Sequence, residues 1–434
     1  MEPLQGPTPA TPGQGQASWL RLLPLLALLF SPAVLHAQQG LQPSNPAARF
    51  AQLEEPLEPK AFLEAALSFS GAQGRELELA RGRAEALVEV AAAELRSLAP
   101  RDRAEGLLAI LHREVFRQYD ERQTRLDELL ATGRFNCVSS AVLFGLLARY
   151  LGMDFRAVQT PDHALIRVLV GAAGYDVETT SPYGFDPGSR KEFTDSFGRV
   201  TGYSYVPPGQ YSRRRELGDK GLLSLILYNR NAYDTERGRY LEALQAAVDA
   251  DLLRRDPESR ERLTLSCLNV ASAHGLAGRY EEGVRFLDEA GSRLEDPRLG
   301  RLREDLLHNW AVSLITGRRL EEAQRLIDAR RSRGELSDQP WRSLEVTIRQ
   351  LRAQEASRRD FAEAAEILRR GLEELGPEAA LEAGYEVYVH NQVVSLVNAR
   401  RLEEALIVLR RALLIVPESS LLREDEGRLA RQRP

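Results

Sequence analysis

A self-similar period of 40 to 41 residues in the C-terminal half constrains the fold of this chain more than any other feature. The tract Gly238-Arg239-Tyr240-Leu241-Glu242-Ala243 returns as Gly278-Arg279-Tyr280-Glu281-Glu282-Gly283 and as Arg318-Arg319-Leu320-Glu321-Glu322-Ala323. It returns twice more, as Arg359-Asp360-Phe361-Ala362-Glu363-Ala364 and Arg400-Arg401-Leu402-Glu403-Glu404-Ala405. Each copy opens an apolar run at helical spacing that ends near a proline, at Pro257, Pro297, Pro340, Pro377 and Pro417. The pattern predicts a helix-turn-helix unit used five times, its second helix stopping at a residue that cannot continue it.

The G-x-Y-x-E-A signature with a proline-bounded helix resembles the tetratricopeptide repeat over residues 221–425, with units about six residues longer than the usual period. That resemblance implies an all-α solenoid over 216–425 that binds proteins or peptides, followed by a short tail, 426–434. A carboxamide recurs on the first helices, at Asn229, Asn269, Asn309, Gln350 and Asn391. Such a column has two readings. It can hydrogen-bond the backbone of an extended peptide, since each amide offers donor and acceptor together, or it can tie adjacent helices to one another. His274, His308 and His390 follow no metal-ligand spacing, and no metal or cofactor motif is present.

The other end of the chain reads as an address. Residues 19–30 (WLRLLPLLALLF) are apolar apart from Arg21, and Ser31, Pro32 and a small residue at Ala37 follow. This is the form of a secretory signal, 1–37, too short and Pro-interrupted to span a bilayer comfortably, with an uncleaved anchor as the alternative because Leu35 is atypical three places before the cut; a Pro-rich linker is expected over 38–58. The destination is the periplasm or the exterior of a bacterial envelope, and no transmembrane span is expected in the mature chain. A net charge of −5 gives no reason to expect a nucleic-acid partner. Of the 58 basic residues only Lys60, Lys191 and Lys220 are lysines, so the chain offers few amines for cross-linking to itself.

Residues 59–130 carry helical periodicity and no visible chemistry. The texture changes at Gly133 and Asn136, a turn and a cap residue that place Cys137 in the first turn of a long apolar helix. Free N–H groups and the helix dipole stabilise a thiolate at such a position. An alternating segment (154–158), a turn at Thr160-Pro161-Asp162, a strand opening at His163, a glycine loop (171–174) and a strand holding Asp176 and Glu178 follow. This order is suited to assembling a nucleophile, a base and an acid that orients it.

The stretch from Asn136-Cys137 through Leu151-Gly152 and Asp162-His163-Ala164 to Glu178-Thr179-Thr180 resembles the core of the transglutaminase-like superfamily over residues 130–190. The resemblance implies an α+β domain over 59–215 with Cys137 as nucleophile and His163 as base. Glu178-Thr179-Thr180 stands where the family has Asp-Pro-Thr. Positions two apart share a strand face, so Glu178 or Asp176 can supply the acid, and Glu178 is favoured. Arg156, Arg167 and residues 183–185 are candidates for shaping the cleft, and His112 reads as structural.

The expectation is therefore a mostly helical chain, an α+β domain followed by a helical solenoid. It is either a thiol acyl-transfer enzyme acting on a protein or peptide carboxamide, or an inactive envelope adaptor that binds through its repeats. Cys137 and Cys267 are expected to remain unpaired, since each lies in a helix of a different domain.

Overall fold

A computed structural model describes residues 41–161, 163–188, 193, 197–199, 201 and 214–431; the expected signal over 1–37 and the last three residues of the tail lie outside them. The chain is mostly helical with a small sheet. Over the described residues it divides into two compact units, one of 41–276 and 285–300, the other of 277–284 and 301–431.

The first unit begins with α1 (Asn45–Ala51), where a linker was expected. Ser44 caps it by accepting the Ala47 N–H, Pro46 stands in its first turn, and Ala47 and Phe50 are buried. A proline costs nothing at a helix start, where its missing N–H would have had no partner. The segment is helical and packed because its prolines flank an apolar face. Helices α2 (Pro59–Ser70), α3 (Gly74–Leu95), α4 (Pro100–Glu114) and α5 (Leu126–Thr132) lead to a two-residue parallel pairing of β1 (Gln118–Tyr119) with β2 (Arg134–Phe135).

Helix α6 (Cys137–Tyr150) follows and is buried on every side from Val138 to Ala148. Apart from Ser139 and Ser140 that stretch is apolar all round, which suits a helix at the centre of a core rather than on its surface. It packs on α2, α4, β3 (Asp154–Gln159), β4 (Ala164–Val170) and α7 (Asp219–Glu236). The sheet has the order β5-β4-β3-β6, all antiparallel, with β5 at Ala173–Val177 and β6 at Arg215–Leu217. The glycine loop expected over 171–174 is shorter than its composition suggests. Val170 already pairs with Ala173, and Gly171 at φ +60° makes the two-residue turn, as hairpins with a positive first central φ do.

Asp219, at the first position of α7, is fully buried and joins three segments. It accepts the Leu57 N–H at 2.7 Å and pairs with Arg149 of α6 at 2.9 Å. The first helix of the periodic region is thereby built into the unit that holds the sheet.

The repeat period appears as five helix pairs. The second helices α8 (Tyr240–Arg254), α10 (Tyr280–Gly291), α12 (Leu320–Arg331), α14 (Phe361–Leu375) and α16 (Leu402–Leu413) begin at the five aligned aromatic or Leu positions. The first helices are α7, α9 (Pro257–Leu276), α11 (Pro297–Thr316), α13 (Asp338–Ala356) and α15 (Ala379–Asn398), and α17 (Ser420–Ala430) follows the last pair. Pro257 and Pro297 open the next helix rather than terminate the previous one, the other place where a fixed φ and a missing N–H do no harm.

The turns share one backbone conformation. Gly238, Gly278, Arg318 and Arg400 are all left-handed, at φ between +59° and +71°. The fourth turn departs, since Asp360 caps α14 through the Ala362 N–H. In the second unit a core joins α13 to α17, and the buried His390 Nδ1 meets Asp425 Oδ2 at 2.5 Å. Among the described residues no helix is long and apolar enough to cross a membrane.

Candidate active site

Cys137 is the first residue of α6 and is half-buried. Asn136 caps the helix reciprocally: its Oδ1 accepts the Ser139 N–H and its own N–H donates to Ser139 Oγ, both at 2.9 Å. The capping box fixes the helix start and consumes the third N–H. The N–H groups of Cys137 and Val138 have no carbonyl four residues back within the helix. N–H groups of this kind at a helix start can donate to an oxyanion.

His163 lies at the end of the turn that leads into β4. Thr160 holds that turn twice, through its N–H (2.9 Å) and its Oγ1 (3.2 Å), both donating to the His163 carbonyl. The imidazole Nε2 meets Glu178 Oε2 at 2.6 Å. The acid is 1% exposed, and its other oxygen accepts the Thr180 N–H at 3.2 Å and the Thr180 hydroxyl at 2.8 Å. Both oxygens of a buried carboxylate are therefore occupied, which is the condition for keeping one out of water.

The turn behind Glu178 is tight: Glu178 N–H donates to the Gly184 carbonyl and Gly184 N–H to Ser181. A Cβ at position 184 would fall 1.9 Å from the Glu178 carbonyl oxygen, so this position admits only glycine.

The imidazole Nδ1 is buried and has no partner of full hydrogen-bond geometry. Cys137 acts on the ring from close by. Burial opposes the charged form, but Glu178 and Cys137 outweigh it by charge and hydrogen bonding, so the His163 pKa stands well above 6.5. Phe197 stands edge-on to the imidazole at 5.4 Å.

The structure brings Cys137, His163 and Glu178 together and takes Asp176 elsewhere. Asp176 faces Arg167 at 3.2 Å and Arg214 at 2.5 Å. Of the residues expected to shape a cleft, Arg156 pairs with Asp154, Tyr183 is exposed, and Phe185 is buried on Tyr175.

Of the five carboxamides, Asn229 donates to Thr124 Oγ1 (3.1 Å) and Gln350 to the Ala380 carbonyl (3.1 Å). Asn269 and Asn391 are half-buried and Asn309 is exposed. Asn229 and Asn269 belong to the first unit; Asn309, Gln350 and Asn391 belong to the second. Among the described residues no group of three or more His, Cys, Asp or Glu side chains is placed to hold a metal. Cys137 and Cys267 are both free thiols, and burial pushes Cys267 up to about 12.

Sequence reasoning missed two contributors. His112 Nε2 donates to the Thr179 carbonyl at 3.1 Å, bracing the backbone between Glu178 and Thr180. Burial holds its pKa down to about 4, so the ring is neutral and a donor at neutral pH. No spacing in the sequence marks this role. Thr180 had a signal, since it lies two residues after Glu178 in the Glu178-Thr179-Thr180 run.

No family model matches the chain, and no curated protein is significantly similar to it. Among solved structures, a crystal structure of menin, described as revealing the binding site for the Mixed Lineage Leukemia protein, aligns over 88% of this chain and 93% of its own. The identity is 11% and the TM-score 0.35.

Proposed function

We propose that this chain is an exported thiol acyl-transfer enzyme of the transglutaminase-like kind, acting on a protein or peptide carboxamide. One observation carries the reading: a buried imidazole held by Glu178 through Nε2, with Nδ1 otherwise unoccupied, on which a cysteine at a helix start acts electrostatically. The Cys137 sulfur attacks the carboxamide carbon and forms a thioester as the C–N bond breaks. His163 delivers the proton that the departing ammonia or amine requires. The Cys137 and Val138 N–H groups meet the oxyanion. In the second half-reaction His163 takes a proton from water or from an amine, whose attack releases acid or a new amide and returns the thiol. Glu178 holds the ring and stabilises its charged form throughout. The signal-like segment over 1–37 supports export, and the repeats supply a surface for recruiting a protein.

Trapping the thioester tests this. Incubation with carboxamide-bearing peptides and hydroxylamine is expected to yield hydroxamates, and intact mass spectrometry a Cys137 acyl adduct. Hydroxamate formation that persists unchanged in Cys137→Ala contradicts the reading.

A further inference from the structure

The first helix pair of the periodic region touches the Cys137 side and the His163 side of the site by separate polar contacts. On the Cys137 side, the Tyr233 hydroxyl of α7 donates to the Glu121 carbonyl at 2.7 Å, and the Asn136 amide donates to the same oxygen at 2.9 Å. Asn136 is the residue that caps the Cys137 helix. One turn earlier on the same face of α7, Asn229 donates to Thr124 Oγ1. Positions 229 and 233 are four apart and so share a face, and together they hold residues 121–124 against the cap.

On the His163 side the contact is an amide read at both ends. Gln159, the last residue of β3, accepts from Arg254 at 2.7 Å through Oε1 and donates to Glu258 at 3.0 Å through Nε2. Arg254 ends α8 and Glu258 opens α9, so the partner is the junction after the first pair. The Arg254 side chain is 2% exposed and is fixed in turn by Asp256 at 2.7 Å. Gln159 adjoins Thr160, whose N–H and hydroxyl clamp the His163 carbonyl. A buried guanidinium thus holds the residue directly before the turn that aims the imidazole.

We propose that this first helix pair is a positioning element of the acyl-transfer site: Tyr233 holds the cap of the Cys137 helix, and the α8–α9 junction, acting through Gln159, holds the His163 turn. This rests on the acyl-transfer reading above, and it makes the first repeat part of the reaction machinery as well as a recruiting surface. Gln159 acts through Thr160, and Tyr233 acts through Glu121 and Asn136 while also lying within electrostatic reach of Cys137. A displacement on the order of 1 Å between nucleophile and base is enough to cost up to 100-fold in rate.

The test is the rate of iodoacetamide alkylation of Cys137 in the full chain, followed by peptide mass spectrometry across pH 5 to 9. Unmutated protein and His163→Ala are run first. Alkylation that ignores His163→Ala overturns the acyl-transfer reading, and with it this proposal. Given His163 dependence, Gln159→Glu sets a second carboxylate against Glu258 and is expected to slow alkylation on the order of 10-fold and to shift its pH profile. Adding Glu258→Gln restores the complementary pair and is expected to bring the rate back to within about threefold. Tyr233→Phe removes one oxygen from a half-buried ring, leaves folding intact, and is expected to slow alkylation about fivefold. His163-dependent alkylation with unchanged rate and profile in Gln159→Glu and Tyr233→Phe overturns the proposal. So does a slowed Gln159→Glu that Glu258→Gln fails to restore.

Discussion

A carboxylate removed from water must have both oxygens occupied, and Glu178 meets the requirement by dividing its labour. One oxygen takes the Thr180 hydroxyl and N–H, and the other faces the imidazole. Glu178→Gln keeps the shape but removes the charge that the imidazolium requires. It is expected to lower carboxamide turnover by on the order of 10²–10⁴ with little change in KM, read in steady-state hydroxamate assays. The two histidines around Glu178 respond to pH in opposite directions. His112 is depressed to about 4, so between about pH 4 and 6.5 the unfolded chain binds a proton that the folded chain does not. Stability therefore falls as pH drops through that window, by on the order of 3 kcal/mol. His163 is raised, so its contribution is complete below 6.5 and fades as pH climbs through its folded value. Urea unfolding of His112→Gln is expected to lose the acid limb and keep the alkaline one.

At the scale of the element, the repeat turns show how one backbone conformation is met by different residues. Gly238 and Gly278 occupy the left-handed position without strain, and Arg318 and Arg400 occupy it with a Cβ. Arg400→Gly is expected to raise stability by about 0.5–1 kcal/mol in urea unfolding, a gain that an interior helix position would not show. The aligned aromatic and Leu positions marked the start of each second helix to the residue, because a turn of fixed geometry leaves a fixed signature. Cys137 at a helix start was legible for the same reason, from Gly133 and Asn136. The prolines were ambiguous, since the same ring ends one helix or begins the next, and composition alone does not say which. The helix over 45–51 was hidden in a proline-rich segment whose apolar face is only two residues wide, Ala47 and Phe50. The partnership of Gln159 with Arg254 and Glu258 spans about a hundred residues of sequence and leaves no local trace. The choice between Glu178 and Asp176 rested on which carboxylate Arg167 and Arg214 would claim, a matter of cross-strand register.

At the scale of the whole molecule, the first unit is fastened by a buried ion pair rather than by apolar packing alone. Asp219 and Arg149 join α7 to α6, and the Leu57 N–H adds the N-terminal segment. Asp219→Ala leaves the Arg149 guanidinium only its longer ionic contact to Asp154 at 3.5 Å and is expected to cost up to about 3–5 kcal/mol. Because α6 begins with Cys137, the same substitution is expected to loosen the thiol site as the unit weakens. The claim on which the account turns is that the Cys137 thiol is poised by His163 in the folded chain. Its most direct measurement is site-resolved labelling with a thiol-reactive carboxamide probe at pH 7, in unmutated protein and in His163→Ala. Rapid modification of Cys137 alone is expected, with Cys267 untouched, and that modification is expected to be lost in His163→Ala. Labelling that appears only after denaturation, or that is indifferent to His163→Ala, contradicts it.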